Sequence, residues 1–116
     1  MITSAKFGDI YLVNFEPGVG HEYKKTRPAI IIQEEKYFHK SHCVTIIPIS
    51  SRLENRTPDD IFIQRDEATN KLTKDSIIKA FNIHGFDKSR FIHYIGKAGS
   101  PVIRQVRGYL RRHFGL

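Results

Sequence analysis

Six short runs of β-branched and aromatic residues, each cut off by polar, glycine or proline residues, commit this chain to a sheet of short strands. The runs are Ile10–Phe15, Arg27–Gln33, Val44–Ile49, Ile61–Ile63, Ser76–Ile83 and Phe91–Ile95. Proline has no ladder donor, so Pro28 fits only at the start of its strand, and Pro48 marks an edge or a bulge. The unbroken Ala29-Ile30-Ile31-Ile32 reads as a strand buried on both faces. Pro17 to Thr26 has the composition of a solvated loop, Glu34 to His42 that of a loop or one helical turn, and Ser50 to Asp60 that of a mobile loop. Asp66 to Lys74 turns the chain.

The carboxyl end changes period. Ser100-Pro101 supplies an N-cap and a first-turn proline, and Val102, Ile103, Val106, Leu110 and Phe114 recur at helical spacing. Arg104, Arg107, Arg111 and Arg112 fall mostly off that stripe and read as a solvated face. Short strands followed by one helix predict an antiparallel barrel or a strongly bent sheet, mainly β with helical additions, rather than alternating parallel units. With 116 residues and about 40% apolar content, 1–116 is expected to form a single domain around one core.

A net charge of +7 attracts polyanions, either nucleic acid or an acidic protein segment. Cys43 is the only cysteine; it cannot form an intramolecular disulfide, reads as a small buried hydrophobe and suits a reducing cytoplasm. The first six residues hold no apolar signal core and no run approaches the length needed to span a bilayer, so a cytoplasmic protein with no membrane partner is expected. His39, His42 and Cys43 cluster, but they give three ligands at best and no second motif, so neither metal nor cofactor is expected.

Residues 20–32, GHEYKKTRPAIII, gather charge on the threshold of a buried strand. Arg27 offers a five-donor fork that stays ionised and suits a phosphate oxygen. Lys24 and Lys25 add diffuse attraction, and His21 titrates near neutrality, so it can carry a proton during turnover. Together they can form a phosphodiester site; against this, an arginine before a buried strand is usually a surface residue.

Gly8-Asp9-Ile10, Pro17, Gly20-His21-Glu22 and Thr26-Arg27-Pro28-Ala29 open a pattern that continues through Ile47-Pro48-Ile49-Ser50-Ser51-Arg52, Lys74-Asp75-Ser76-Ile77-Ile78 and Asp87-Lys88-Ser89-Arg90. In order and spacing it resembles the MazF/PemK/Kid toxins, ribosome-independent endoribonucleases of bacterial toxin–antitoxin pairs. The resemblance implies an SH3-like small barrel of the CcdB/MazF type. It also implies a symmetric homodimer with RNA grooves near the subunit interface, restrained by an acidic antitoxin whose disordered tail folds over the groove.

It further implies metal-independent cleavage of single-stranded RNA, in which the ribose 2′-hydroxyl attacks its own phosphate to leave a 2′,3′-cyclic phosphate and a 5′-hydroxyl. The catalytic arginine and the threonine or serine of the family fall on Arg27 and Ser50, with Ser51 a weaker substitute for Ser50. The histidine of the GHE motif falls on His21. An arginine and an aspartate used by some relatives fall on Lys79 and Phe81, so the carboxylate is missing. Glu22, Tyr23, Lys24, Lys25, Ser51, Arg52, Lys79, Asn82 and His84 are the expected RNA contacts. Asn82 can read a base edge, while His84, Tyr23 or Phe86 can stack on an unpaired base, Phe86 being equally a core residue. Two alternatives are a CcdB-like gyrase-binding toxin without catalysis and a relative that binds RNA without cutting it.

Overall fold

The computed structural model describes residues 2–16 and 26–116. Strand β3 (Cys43–Ser50) organises the sheet. One of its edges pairs with β2 (Thr26–Ile31), which pairs with β1 (Asp9–Asn14), which pairs with β7 (Phe91–Lys97). Its other edge takes two partners in succession, β6 (His84–Asp87) along Cys43 to Ile46 and β5 (Ser76–Ile78) along Ile49 and Ser50; β4 (Ile61–Ile63) adds to β5. Every pairing is antiparallel. Among the described residues no ladder joins β7 to β4 or β6, so the small SH3-like architecture is a bent seven-stranded sheet rather than a closed barrel.

Alternation along the central strands feeds two cores. Tyr11, Val13, Ala29, Ile31, Val44 and Ile46 turn to one side with Phe86 and Phe91, while Ile10, Ile30, Ile47 and Ile49 turn to the other with Ile78 and Val106. This is why the Ala29–Ile31 run carries no polar residue: both of its faces are covered. Each fully buried isoleucine contributes about 1.5 to 3 kcal/mol of transfer free energy.

Three expectations are corrected. The run Ser76–Ile83 is not one strand: β5 ends at Ile78, the Lys79 N–H donates to the Pro48 carbonyl, the Asn82 N–H closes a turn onto the Lys79 carbonyl, and β6 begins at His84. The cause lies in β3, whose outer partner changes there. Pro48 is accordingly neither edge nor bulge, for it pairs with Ala29 inside the sheet. In extended backbone the N and the C=O of one residue point the same way, so the missing Pro48 donor falls where β5 gives way to β6 and no strand requires it. Cys43, at the start of β3, is exposed rather than buried.

The Glu34–His42 segment contains a short 3-10 helix (Glu35–Lys40) that buries Phe38. Helix α1 (Ser100–Phe114) begins one residue earlier than expected, with Gly99 at the N-cap and Pro101 in the first turn, and ends at Gly115, whose φ of 70° supplies the left-handed cap. Val106 and Tyr109 are buried, whereas Phe114, placed on the apolar stripe by its spacing, is 59% exposed. Of the four expected surface arginines, Arg107 is held, with its guanidinium 3.9 Å over the Phe7 ring and 3.6 Å from Glu34. Gly108 stands mid-helix, where glycine costs about 1 kcal/mol relative to alanine. A Cβ there would meet Arg112 Nη1 only at 3.6 Å, an ordinary contact, so packing does not require the glycine.

Candidate active site

The start of β2 and the end of β3 lie at the same end of the sheet, because neighbouring antiparallel strands run in opposite senses. Their register sets Ala29 against Pro48, Ile30 against Ile47 and Ile31 against Ile46. The ladder ends at Ala29 and Pro48, and Arg27 and Ser50 stand two residues beyond that last pair, at the same end of the sheet. Two residues twenty-three positions apart in sequence thereby share one end of the sheet.

Both line a cavity of about 290 Å³. Arg27 is 8% exposed and Ser50 6%, so both are buried, and Arg27 is not the loose surface side chain that its position in the sequence suggests. The Ser50 Oγ accepts the Arg52 N–H at 3.1 Å, which fixes the turn into the following loop and leaves the hydroxyl hydrogen available to a ligand. Leu12, Pro28 and Ile49 supply apolar lining, and Ser51 and Arg52 also line the cavity. The opposite wall is the loop after β4, which brings Lys71, Thr73 and Lys74. Four cations therefore surround the cavity, and no carboxylate lines it among the described residues.

The lysine wall is built by Asn70, a buried amide. Its Oδ1 accepts the Asp66 and Leu72 N–H groups, and its Nδ2 donates to the Gln64 carbonyl. The turn that results places Lys71 at φ 55°, a left-handed conformation that a lysine adopts only when its neighbours impose it. The sequence alone does not single out Lys71, Thr73 or Lys74 as lining such a cavity. The turn composition of Asp66 to Lys74 was visible, but nothing in it indicated which strand ends the turn would face.

The Ser50–Asp60 segment is tied down rather than mobile. A 3-10 turn, Leu53–Asn55, follows Arg52. The Asp60 carboxylate accepts the Thr57 N–H at 3.0 Å and the Ala80 N–H at 3.1 Å. It also accepts the Lys79 ammonium at 2.9 Å, and that ammonium donates to the Asn55 carbonyl at 3.0 Å.

Of the expected site residues, Arg27, Ser50, Ser51 and Arg52 converge on the cavity. Lys79, Asn82 and His84 do not line it. Lys79 is engaged by Asp60. Asn82 sits half-buried in the turn before β6. The His84 ring stacks on Phe86, itself buried as the core reading allows, and desolvation pushes its pKa down. Phe81, at the position of the missing carboxylate, is 72% exposed. His21, Glu22, Tyr23, Lys24 and Lys25 lie outside the described residues. Among the described residues no group of three His, Cys, Asp or Glu side chains is placed to hold a metal, and no helix is long and apolar enough to cross a membrane.

A cavity that combines apolar lining with a guanidinium, a hydroxyl and three further cations suits a phosphodiester. Residues 6–114 match the family model described as PemK-like, MazF-like toxin of type II toxin-antitoxin system. The chain is 28% identical over 109 residues to the endoribonuclease MazF of Staphylococcus saprophyticus, covering 94% of this chain and 90% of that protein. Its fold is similar to the crystal structure of MazF from Deinococcus radiodurans, with a TM-score of 0.81 at 23% identity, covering 99% of this chain and 100% of that one. It is also similar to an endoribonuclease from a mycobacterial species in complex with its cognate antitoxin, with a TM-score of 0.71 at 16% identity over 99% and 97% of the two chains.

Proposed function

The chain belongs to the PemK-like, MazF-like toxin family of type II toxin–antitoxin systems, and from that premise we propose that it is a metal-independent endoribonuclease acting on single-stranded RNA. The observation that carries the reading is that Arg27 and Ser50 line one cavity ringed by cations and lined by no carboxylate among the described residues.

The nucleophile belongs to the substrate. The ribose 2′-oxygen attacks the adjacent phosphorus, the bond from phosphorus to the 5′-oxygen breaks, and the products are a 2′,3′-cyclic phosphate and a 5′-hydroxyl. Charge accumulates on the non-bridging oxygens, where the Arg27 fork neutralises it and the Ser50 hydroxyl donates; Arg27 stays protonated throughout. Arg52, Lys71 and Lys74 hold neighbouring phosphates. Withdrawal of the 2′-proton and its delivery to the leaving oxygen fall to His21, the loop group whose ordinary pKa lies nearest neutrality. Ser51 lines the cavity with Ser50, Glu22, Tyr23, Lys24 and Lys25 supply further RNA contacts, and Asn82 and His84 contact only nucleotides that lie outside the cavity.

On the same reading, residues 1–116 act as one toxin domain, two copies form a homodimer, and an acidic antitoxin restrains it in the cytoplasm. The test is incubation of the protein with single-stranded RNA in EDTA. New 5′-hydroxyl ends are expected, with kcat lowered about 10² to 10³-fold in Arg27→Ala or Ser50→Ala. Cleavage that needs a divalent metal refutes the mechanism. Tight RNA binding without turnover identifies a non-cutting relative, and undiminished gyrase poisoning by Arg27→Ala identifies a CcdB-like toxin.

A further inference from the structure

A second cleft, of about 590 Å³, lies between the loop that follows β3 and the outer face of α1. Three guanidinium groups surround it, Arg56 from the loop and Arg104 and Arg112 from the helix. The opposing charges are Asp59 and Asp60, of which Asp60 is already neutralised by Lys79. Among the described residues none of the three arginines forms an ion pair. Arg65 and Arg107, by contrast, reach Glu67 and Glu34. Like charges left unpaired around one depression repel each other unless an anion lies between them.

Gly108 strengthens the case. It stands between Arg104 and Arg112 on the same helix face, it weakens the helix, and no packing neighbour excludes a methyl group there. A glycine without a packing reason leaves backbone open to a close-lying ligand. The chain links the cleft to the active-site cavity: Ser50, Ser51 and Arg52 line the cavity, Arg56, Pro58, Asp59 and Asp60 line the cleft, and one 3-10 turn connects them.

We propose that this cleft is a second phosphate-binding site that holds the backbone of the RNA strand several nucleotides away from the scissile phosphate. The inference rests on the endoribonuclease reading and adds a place and a chemistry to it. Arg56, Arg104 and Arg112 clamp phosphodiester oxygens without reading bases, so they set affinity for long RNA and leave the chemical step alone.

The test maps one cut site in a transcript. It then compares an oligonucleotide of about six nucleotides around that site with one extended by about ten on each side, lengths chosen to fall short of and to reach a second subsite. Arg104→Ala/Arg112→Ala is expected to weaken binding of the extended RNA about tenfold and to reduce the slope of log affinity against log salt by about 1.4, the release of two phosphate contacts. It is expected to leave kcat/KM on the short RNA and the melting temperature unchanged. Gly108→Glu, which keeps all three arginines, should weaken the extended RNA in the same way. Wild-type affinity and salt slope in both variants overturn the proposal, and so does an equal loss on both RNA lengths. Undiminished RNA binding with lost binding of an acidic peptide assigns the cleft to a protein partner and overturns it too. Failure of the wild-type protein to cut either RNA refutes the nuclease reading instead, and the binding measurements then decide the cleft alone.

Discussion

Replacing Lys79 with methionine isolates the clamp under the active-site loop. The substitution keeps most of the aliphatic stem and removes the ammonium from a carboxylate whose side chain is only 2% exposed, leaving Asp60 with the Thr57 and Ala80 N–H donors and no counter-charge. Stranding a buried charge costs about 3 to 5 kcal/mol, and the two surviving donors argue for the lower end. Unfolding entropy near 2.1 cal/mol/K per residue gives about 0.24 kcal/mol/K for 116 residues, so a loss of about 3 kcal/mol lowers Tm by about 12 °C. Thermal melts followed by circular dichroism, with calorimetry to check two-state behaviour, measure the shift. In an Asp60→Asn background, where no charge is left to strand, the same Lys79→Met change should cost at least about 2 kcal/mol less. A Tm within about 3 °C of wild type, combined with weakened RNA binding, would refute the reasoning and return Lys79 to the set of direct RNA contacts.

Gly96→Ala should destabilise strongly, because a Cβ there collides with the Thr69 carbonyl oxygen and comes within 2.8 Å of the Asn70 carbonyl. Both are backbone, and the same loop forms the lysine wall, so cleavage should fall along with the urea midpoint. His84 titrates below the ordinary imidazole value because burial disfavours its cation. Between about pH 6.5 and that lowered folded pKa the unfolded chain takes up a proton that the folded chain refuses, so stability declines as pH falls through this window. His84→Gln should flatten the decline in a series of melts from pH 7 to 5, and an unchanged slope would contradict the assignment. Arg90 donates to the Asn14 and Glu16 carbonyls at 3.3 and 3.0 Å, at the end of β1. There Val13 pairs with Arg27. Arg90→Ala should therefore slow cleavage about five- to tenfold, the effect of a loosened active-site scaffold, with little change in Tm.

The positions of β1, β2, β3, β4 and β7 were legible because each run of β-branched residues is bounded by turn residues, and α1 because its apolar spacing changes to the helical period. What misled was context. Ser76 to Ile83 has strand composition throughout, yet the chain turns inside it because Asp60, some twenty residues earlier, takes the Ala80 N–H and β3 changes partner opposite Pro48. Propensity is local, and this break is not. Arg27 and Ser50 were found through the family pattern, and they share a cavity because the start of β2 and the end of β3 lie at one end of the sheet. Lys71 and Lys74 were invisible for the opposite reason, since their place depends on a buried asparagine that folds an otherwise ordinary polar turn. Arg104 and Arg112 read as solvated, because helical spacing does not reveal the loop packed opposite them.

The central claim is that Arg27 and Ser50 act on one phosphate as a unit, and a double-mutant cycle on single-turnover cleavage tests it most directly. If both groups stabilise the same transition-state charge, Arg27→Ala and Ser50→Ala each slow the step about 10² to 10³-fold, and the double variant is scarcely slower than the worse single one. Losses that multiply in the double variant, or a single variant that cuts at the wild-type rate, would contradict the account.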